Sequence, residues 1–225
     1  MNVAVLISGG KDSALALYRA LRRGYNVKYL VTMIPQREDS WMFHYPNVRL
    51  TGLFAEACGL PLVKGETSGL KEKELEDLKR LLASLDVDGV VSGAVSSVYQ
   101  KSRLDSLCAE IGLESIAPLW HEDPLKLMEE IITNSFEVIF TGVYAYGLDR
   151  GWLGKRLNRS AVEDLVKLSR KYGISIMGEG GEYETLVLDA PFFKKRIRIV
   201  KARIVWDGEN GCLIVEKAVL EEKFL

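Results

Sequence analysis

A glycine-rich run near the start of the chain has the residue types of a phosphate-binding loop. The string SGGKDS spans residues 8–13, follows the apolar residues 3–7, and precedes a helical pattern. Two adjacent glycines let a backbone approach an anion closely, and the free amides of a helix N-terminus point at such an anion. The run therefore predicts a phosphate site rather than a plain glycine turn. The predicted contacts are Ser8, Gly9, Gly10, Lys11 and Ser13.

Asp12 is the unusual member of this loop, because a carboxylate in the first helical turn would repel the phosphate. A Mg²⁺ ion between the two would remove the repulsion, so Asp12 is predicted to be its ligand. The spacing is neither GxxxxGK[ST], which grips β- and γ-phosphates, nor GxGxxG. A compact turn of this kind suits a pyrophosphate.

A second polar group follows a predicted strand at residues 88–94. Gly93 lies near the carboxyl end of that strand, where open α/β sheets bind their ligands. Tyr99 and Arg103 are four residues apart and share one face of the next predicted helix. We expect Arg103 to clamp a phosphate or a carboxylate, with a surface ion pair as the alternative.

The string EGGEYET, residues 179–185, places three acids around two glycines. Such a turn predicts a site for a cation, a substrate amine, ammonium or a metal, or a catalytic base; a solvated acidic loop is the alternative. If residues 182–184 form a strand, Glu182 and Glu184 point to one side and Tyr183 to the other.

Residues 1–121 alternate short apolar runs with helical patterns, which predicts a doubly wound, parallel, five-stranded α/β sheet. The predicted strands are residues 3–7, 25–34, 60–66, 88–94 and 114–120. The predicted helices are residues 12–23, 48–58, 70–85 and 97–111.

Residues 122–225 change character and predict a smaller, C-terminal α+β domain that binds the substrate. Helices are expected at residues 124–134 and 160–172, the second with Ser160 as its N-cap. A strand is expected at 136–143, and the tail predicts a hairpin around residues 208–211. Because no flexible linker separates 1–121 from 122–225, the two domains should pack closely.

The composition excludes several classes of protein. The formal net charge is −1, which gives no basic field, so no nucleic-acid partner is expected. The basic run at 194–203 alternates with apolar residues and is better explained as a strand with one solvated face. Three scattered cysteines and two histidines favour neither disulfides nor zinc and suit a reducing cytoplasm. The first residues resemble neither a signal peptide nor a membrane span.

SGGKDS resembles the signature of the N-type ATP pyrophosphatases, and three longer stretches narrow the resemblance. Residues 92–120, 142–154 and 178–193 are similar to the diphthine–ammonia ligase family, and the likeness runs from about residue 3 to residue 193. The resemblance implies an adenine-nucleotide α-hydrolase-like fold. It also implies amidation of the diphthine carboxylate on translation elongation factor 2 by ammonia, through an acyl-adenylate formed from ATP, with AMP and pyrophosphate as products. A short stand-alone chain of this family implies an archaeal source.

The resemblance also implies binding and catalytic roles for individual residues. ATP and Mg²⁺ are expected at residues 8–13 and at Gly93, with adenine near Met33 and with His44 stacking or hydrogen-bonding there unless it is structural. The chain lacks the N-terminal cysteine of glutamine amidotransferases, so free ammonium is the expected nitrogen source. The expected catalytic residues are Lys11, Asp12, Glu182 and Glu184. The expected substrate-binding residues are Ser96, Tyr99, Gln100, Arg103, Glu179, Gly180, Gly181, Tyr183 and Thr185.

Glu182 and Glu184 would hold ammonium or the trimethylammonium group of diphthine. Tyr183 or Trp41 would add a cation–π contact to that group, unless they are core aromatics. Two rival functions share the phosphate loop: a tRNA-modifying ATP pyrophosphatase and a non-catalytic nucleotide-sensing module. Isolated cysteines and the lack of basic charge disfavour the first, and the acidic turn disfavours the second.

Overall fold

A parallel sheet forms the N-terminal half of the chain. The computed structural model describes residues 1–35, 47–67 and 71–223. Every neighbouring pair of strands in this sheet is parallel, and their order is β3-β2-β1-β4-β5. The strands are β1 (Asn2–Leu6), β2 (Asn26–Pro35), β3 (Leu62–Thr67), β4 (Gly89–Val91) and β5 (Glu114–Ile116).

Four helices cover the two faces of this sheet, as strand–helix alternation predicts. Val3 and Val5 belong to a core with α1 and α2, whereas Ala4 belongs to a second core with α3 and α4. This is the side-chain alternation of a strand buried on both faces. The helices are α1 (Lys11–Arg22), α2 (Thr51–Cys58), α3 (Lys71–Ala83) and α4 (Val98–Glu110).

The C-terminal half is built on an antiparallel sheet with the strand order β7-β6-β9-β8. Its turn at residues 207–210 confirms the predicted hairpin, because the Asp207 carboxylate accepts hydrogen bonds from the amides of Glu209 and Asn210. Short 3-10 helices lie at Val48–Leu50 and Arg150–Trp152. The other elements are α5 (Pro124–Thr133), β6 (Glu137–Val143), α6 (Arg159–Tyr172), β7 (Tyr183–Asp189), β8 (Lys195–Trp206) and β9 (Gly211–Glu222).

The predicted architecture is confirmed, with three local corrections. Strand β5 ends at Ile116, four residues earlier than predicted, because the chain turns at residues 118–121. The N-cap of α6 is Asn158 and not Ser160: the backbone of Asn158 is extended, and its side chain accepts a hydrogen bond from the Ala161 amide at 2.9 Å. Strand β4 ends at Val91, three residues earlier than predicted, because the following loop leaves the sheet to contact the C-terminal half.

The basic run at residues 194–203 forms β8, as its alternation predicts. Its charges pair with glutamates of β9, for example Arg198 with Glu221 at 2.7 Å and Lys201 with Glu216 at 2.6 Å. These pairs give the solvated face of the hairpin a balanced charge.

One hydrophobic core joins the two halves. Leu15 and Phe54 of the first half share a buried cluster with Phe140 and Leu186 of the second. All three cysteines are buried free thiols, as predicted for small core residues. Within the described residues, the helices are too short or too polar to cross a membrane.

Candidate active site

The phosphate-loop residues form a tight turn between β1 and α1. Gly9 has a φ of 87°, a left-handed conformation that glycine adopts without strain. The Ser13 hydroxyl closes the turn, since it donates to the Gly10 carbonyl at 3.1 Å and lies 3.2 Å from the Ser8 hydroxyl. Gly10 is the N-cap of α1, and its capping position provides no side-chain hydrogen bond. The helix start therefore has the geometry of an anion cradle.

Lys11 is buried, with 2% of its side chain exposed, and it links the loop to the C-terminal half. Its ammonium donates to the Met177 carbonyl at 2.5 Å and to Asp12 Oδ2 at 3.0 Å, and it lies 5.0 Å from the centre of the Tyr183 ring. Its backbone amide donates to the Thr185 hydroxyl at 3.1 Å. Lys11, which the sequence predicts to contact phosphate, is thus held in place by Met177, Tyr183 and Thr185.

Asp12 has a carboxylate oxygen suited to a metal ion. Oδ2 is paired with Lys11, but Oδ1 is buried and accepts no hydrogen bond within the described structure. Burial raises the pKa of this carboxyl, Lys11 opposes that rise, and Glu179 adds to it. The described residues contain no cluster of three or more His, Cys, Asp or Glu side chains placed to hold a metal. This donor set fits Mg²⁺ bound through one carboxylate and substrate phosphates.

Gly93 lies directly against the first turn of α1. A Cβ at this position would stand 2.8 Å from both the Asp12 carbonyl carbon and the Ser13 amide nitrogen, which real Cβ atoms do not approach so closely. Gly93 therefore lets the loop after β4 touch the turn at residues 8–13.

The loop after β4 is fastened by Glu179. One oxygen of this carboxylate accepts from the Val95 amide at 2.7 Å. The other accepts from the Ser96 amide at 2.7 Å and from the Ser96 hydroxyl. Two predicted substrate-binding residues, Ser96 and Glu179, thus contact each other beside the phosphate loop. They join the two halves of the chain.

Glu182 and Tyr183 hold the segment that precedes β7. Glu182 Oε1 accepts from the Ser175 amide at 2.8 Å, while Oε2 is buried without a hydrogen bond in the described structure. The Tyr183 hydroxyl donates to the Ile176 carbonyl at 2.5 Å. Gly180 lies against the Glu182 carboxylate and Gly181 has a φ of 84°.

Glu184 lies inside β7, whereas Glu182 precedes it, so strand alternation does not fix their relative direction. Burial raises the pKa of Glu184 to about 8. Its ionisable neighbours are Tyr144 and Cys212, not the Lys11 that packs on Tyr183. Glu184 and Tyr183 therefore face opposite sides of the sheet, as the sequence predicts for adjacent strand residues.

The remaining predicted residues lie further out or outside the described chain. Arg103 contacts the hydroxyl and ring of Tyr99, and it lines a surface groove of about 270 Å³ between α3 and α4. Gln100 is in the first turn of α4, where its amide donates to the Ser97 cap. Met33 packs over Gly65, beside Leu81 of α3. Trp41 and His44 lie outside the described residues.

The sequence analysis missed residues that act through their backbone or from distant segments. The Met177 carbonyl carries no sequence signal. Asn47 bridges to β9, donating to the Leu213 carbonyl at 2.9 Å and accepting from the Val215 amide at 3.0 Å. Tyr144 could have been found from the sequence, because it lies in the stretch 142–154 that resembles the family.

Comparison with known proteins places both halves of the chain in one family. Residues 1–115 match the family model of the diphthamide synthase N-terminal domain, and residues 123–220 match that of the diphthamide synthase C-terminal domain. A diphthine–ammonia ligase of Danio rerio is 38% identical over 94% of this chain and 91% of its own length. The ligase of Mus musculus is 34% identical over 99% of this chain and 94% of its own length.

A longer relative carries the same family name, and a solved structure shares the fold. The diphthine–ammonia ligase of Schizosaccharomyces pombe is 34% identical over 99% of this chain, which spans only 40% of that relative's length. A Methanocaldococcus jannaschii crystal structure titled "predicted subunit of tRNA methyltransferase" matches with a TM-score of 0.50 and 17% identity. The match covers 84% of this chain and 98% of that one, and it shows a shared fold.

Proposed function

The chain belongs to the diphthine–ammonia ligase family, and from this premise we propose that it amidates the diphthine carboxylate of translation elongation factor 2. The nitrogen comes from ammonium, and the energy comes from cleavage of ATP to AMP and pyrophosphate. The observation that carries the proposal is the anion cradle at residues 8–13, whose Lys11 donates hydrogen bonds to Met177 and to Thr185 of the acidic turn at residues 179–185.

Activation is needed because a free carboxylate does not form an amide at neutral pH. Attack of the diphthine carboxylate on the α-phosphorus of ATP forms an acyl-adenylate and breaks the bond to pyrophosphate. The amides at the start of α1 and the hydroxyls of Ser8 and Ser13 are placed to stabilise charge on the departing pyrophosphate. Ammonia then attacks the acyl carbon and AMP leaves.

Two residues of the loop would perform distinct tasks. Lys11 provides positive charge beneath the cradle and orders the first turn of α1 through Met177 and Asp12. Asp12 Oδ1 would hold Mg²⁺ together with the substrate phosphates, and the ion would neutralise phosphate charge. Catalytic roles for Lys11, Asp12, Glu182 and Glu184 belong to this proposal.

Substrate recognition is proposed on both sides of the cradle. Adenine is expected near Met33, with Gly93 also at the ATP site and with His44 contributing from outside the described residues. We assign the protein substrate and the reacting carboxylate to the surface formed by the start of α4 and the acidic turn. A cytoplasmic location and an archaeal source are also proposed. The residues of that surface are Ser96, Tyr99, Gln100, Arg103, Glu179, Gly180, Gly181 and Thr185. The prediction that Tyr183 contacts the substrate is wrong, because its side chain is buried in the core and its ring packs against Lys11.

The test combines the chain with ATP, Mg²⁺, ammonium and elongation factor 2 carrying diphthine, and omits each component in turn. We expect pyrophosphate release that depends on the factor, together with the mass change of a carboxylate becoming an amide. Pyrophosphate release stimulated by tRNA instead would support the rival tRNA-modifying pyrophosphatase. ATP binding without turnover in every mixture would support a nucleotide-sensing module.

A further inference from the structure

Three ionisable side chains meet around Gly142 on the sheet face opposite Tyr183. Gly142 of β6 pairs with Glu184 of β7 on one side and with Cys212 of β9 on the other. Paired residues project from the same face of a sheet. Tyr144 folds back over the glycine, so that its hydroxyl lies 2.6 Å from the position a Gly142 Cβ would take. The carboxyl, hydroxyl and thiol groups therefore converge on one small region.

Unlike the other two glutamates of its turn, Glu184 accepts no hydrogen bond from a described residue. Glu179 accepts three hydrogen bonds and Glu182 accepts one. Over the ranges that the structure describes, no hydrogen bond or ion pair reaches the Glu184 carboxylate, although the side chain is half-buried. A buried carboxylate without a donor is costly when charged, and burial accordingly raises its pKa to about 8.

The groups around Glu184 provide one further acceptor and little positive charge. The ionisable groups that face it are Tyr144 and Cys212, and the charge that reaches Cys212 from β8 is that of Arg203. The Tyr144 hydroxyl and the Cys212 thiol could each donate a hydrogen bond, but neither carries positive charge, so a ligand that pairs with the ionised carboxylate must bring positive charge of its own. Ammonium does so, is about the size of a water molecule, and would donate to both the carboxylate and the Tyr144 oxygen.

We propose that Glu184 and Tyr144 form the site where ammonium binds and is deprotonated to ammonia for the amidation step. This inference rests on the proposed function and names the residues that bind its nitrogen substrate. A quaternary ammonium group does not fit as well, because it has neither an N–H donor nor a proton to lose.

Strand β7 connects this site to the phosphate loop. Leu186, two residues beyond Glu184 on the same strand face, packs near Gly9. The intervening Thr185 accepts the Lys11 amide. Two strand residues span about 7 Å, so ammonia released at Glu184 forms beside the loop where the adenylate is made.

The proton balance of the step is simple. Near pH 7 Glu184 holds a proton, and this proton goes to solvent when ammonium binds and pairs with the carboxylate. The carboxylate then takes one proton from ammonium and becomes a neutral acid, while the nitrogen lone pair is freed. That pair forms the C–N bond to the acyl carbon, and the bond from this carbon to the AMP oxygen breaks. The nitrogen then loses a second proton to solvent as the amide forms, and Glu184 returns its own proton to solvent.

The test is Glu184→Gln, which keeps the shape of the side chain and removes the base. With elongation factor 2 carrying diphthine, we expect ATP–pyrophosphate exchange to persist and amidation by ammonium to fall about 100-fold. Hydroxylamine is mainly neutral near pH 7 and needs no base, so the variant should still form the hydroxamate at nearly the wild-type rate. Tyr144→Phe should raise the KM for ammonium with little change in exchange.

The matched control is Glu163→Gln, the same change on the exposed face of α6, which should leave both nucleophiles unaffected. An equal loss of both nucleophiles in Glu184→Gln, or no loss of either, would overturn the inference. Retained exchange in that variant shows that the adenylation site is folded. Failure of the wild-type chain to exchange or amidate at all would instead overturn the proposed function.

Discussion

The phosphate loop and the acidic turn are both short and glycine-rich, yet they use their residues in opposite ways. In residues 8–13, neighbouring side chains converge on one turn and one helix start. In residues 179–184, the three glutamates separate: Glu179 reaches the loop after β4, Glu182 holds Ser175, and Glu184 lies in β7.

The difference shows that closeness in sequence does not make a shared site. The loop forms a unit because its side chains and backbone groups are consecutive and close one turn through Ser8, Gly10 and Ser13. The carboxylates of the acidic turn act through their side chains, and each side chain follows its own backbone direction. Variants can therefore separate the glutamates from one another, whereas they should disrupt the loop as a whole.

The largest effect should come from Gly93→Ala, which acts on the loop as a whole. The added Cβ would strike the backbone of Asp12 and Ser13, which cannot move aside as a side chain can. Because an ångström of misplacement costs on the order of 100-fold in rate, we expect pyrophosphate exchange to fall about that much. Exchange assays and thermal unfolding measure the effect. Gly52→Ala in α2, where φ is not positive and a Cβ would meet only the end of the Lys64 side chain at 3.7 Å, is the control and should retain exchange.

Glu179→Ala should have the next largest effect, because it leaves the Val95 and Ser96 donors without their acceptor. Hydrogen bonds to a charged group contribute about 1.5–3 kcal/mol each at most, so we expect a loss of about 2 kcal/mol in the free energy of unfolding. The KM for ATP should rise as the loop after β4 loosens. Urea denaturation and exchange kinetics test this, and an unchanged KM would separate Glu179 from the nucleotide site.

Glu184→Gln should raise the free energy of unfolding, whereas Glu179→Ala lowers it. The gain should appear only as pH rises above the ordinary glutamate pKa. The folded pKa is about 8 against an ordinary value of 4.5, so the folded chain holds a proton that the unfolded chain has lost between these values. Wild-type stability therefore falls as pH rises through this window. We expect the variant to be more stable by about 4 kcal/mol at pH 8 and equal to wild type near pH 4. Denaturation in ammonium-free buffer at both pH values decides; equal stability at pH 8 contradicts the shift.

The smallest effects should appear at Glu182. Glu182→Ala removes the acceptor of the Ser175 amide and should cost about 1 kcal/mol. Glu182→Gln keeps a carbonyl oxygen for that amide and should unfold close to the wild-type temperature. Calorimetry compares the two variants. Amidation by Glu182→Gln then tests the proposed catalytic role of this glutamate, since a lower rate in a chain of unchanged stability would not be structural.

The same contrast explains what the sequence could predict. The turn at residues 8–13, the parallel sheet and the C-terminal hairpin are encoded by neighbouring residues, through glycine spacing and apolar periodicity, and all three were predicted. The partners of Lys11 and Glu179 lie 166 and 84 positions away, and no local pattern carries that information. Arg103 was predicted to clamp a ligand, yet the described structure places it with Tyr99 in a groove between α3 and α4. Helical spacing shows which residues share a face but not what that face meets.

The hydrogen bond from the Val187 amide to the Gly9 carbonyl, 2.9 Å long, has a consequence beyond catalysis. Strand β7 is the last strand of its sheet, and an open strand edge is a template for pairing with another molecule. The phosphate loop covers part of this edge. The loop at residues 8–13 therefore also shields part of an open strand edge, and we expect damage to the loop to favour edge-to-edge association between chains.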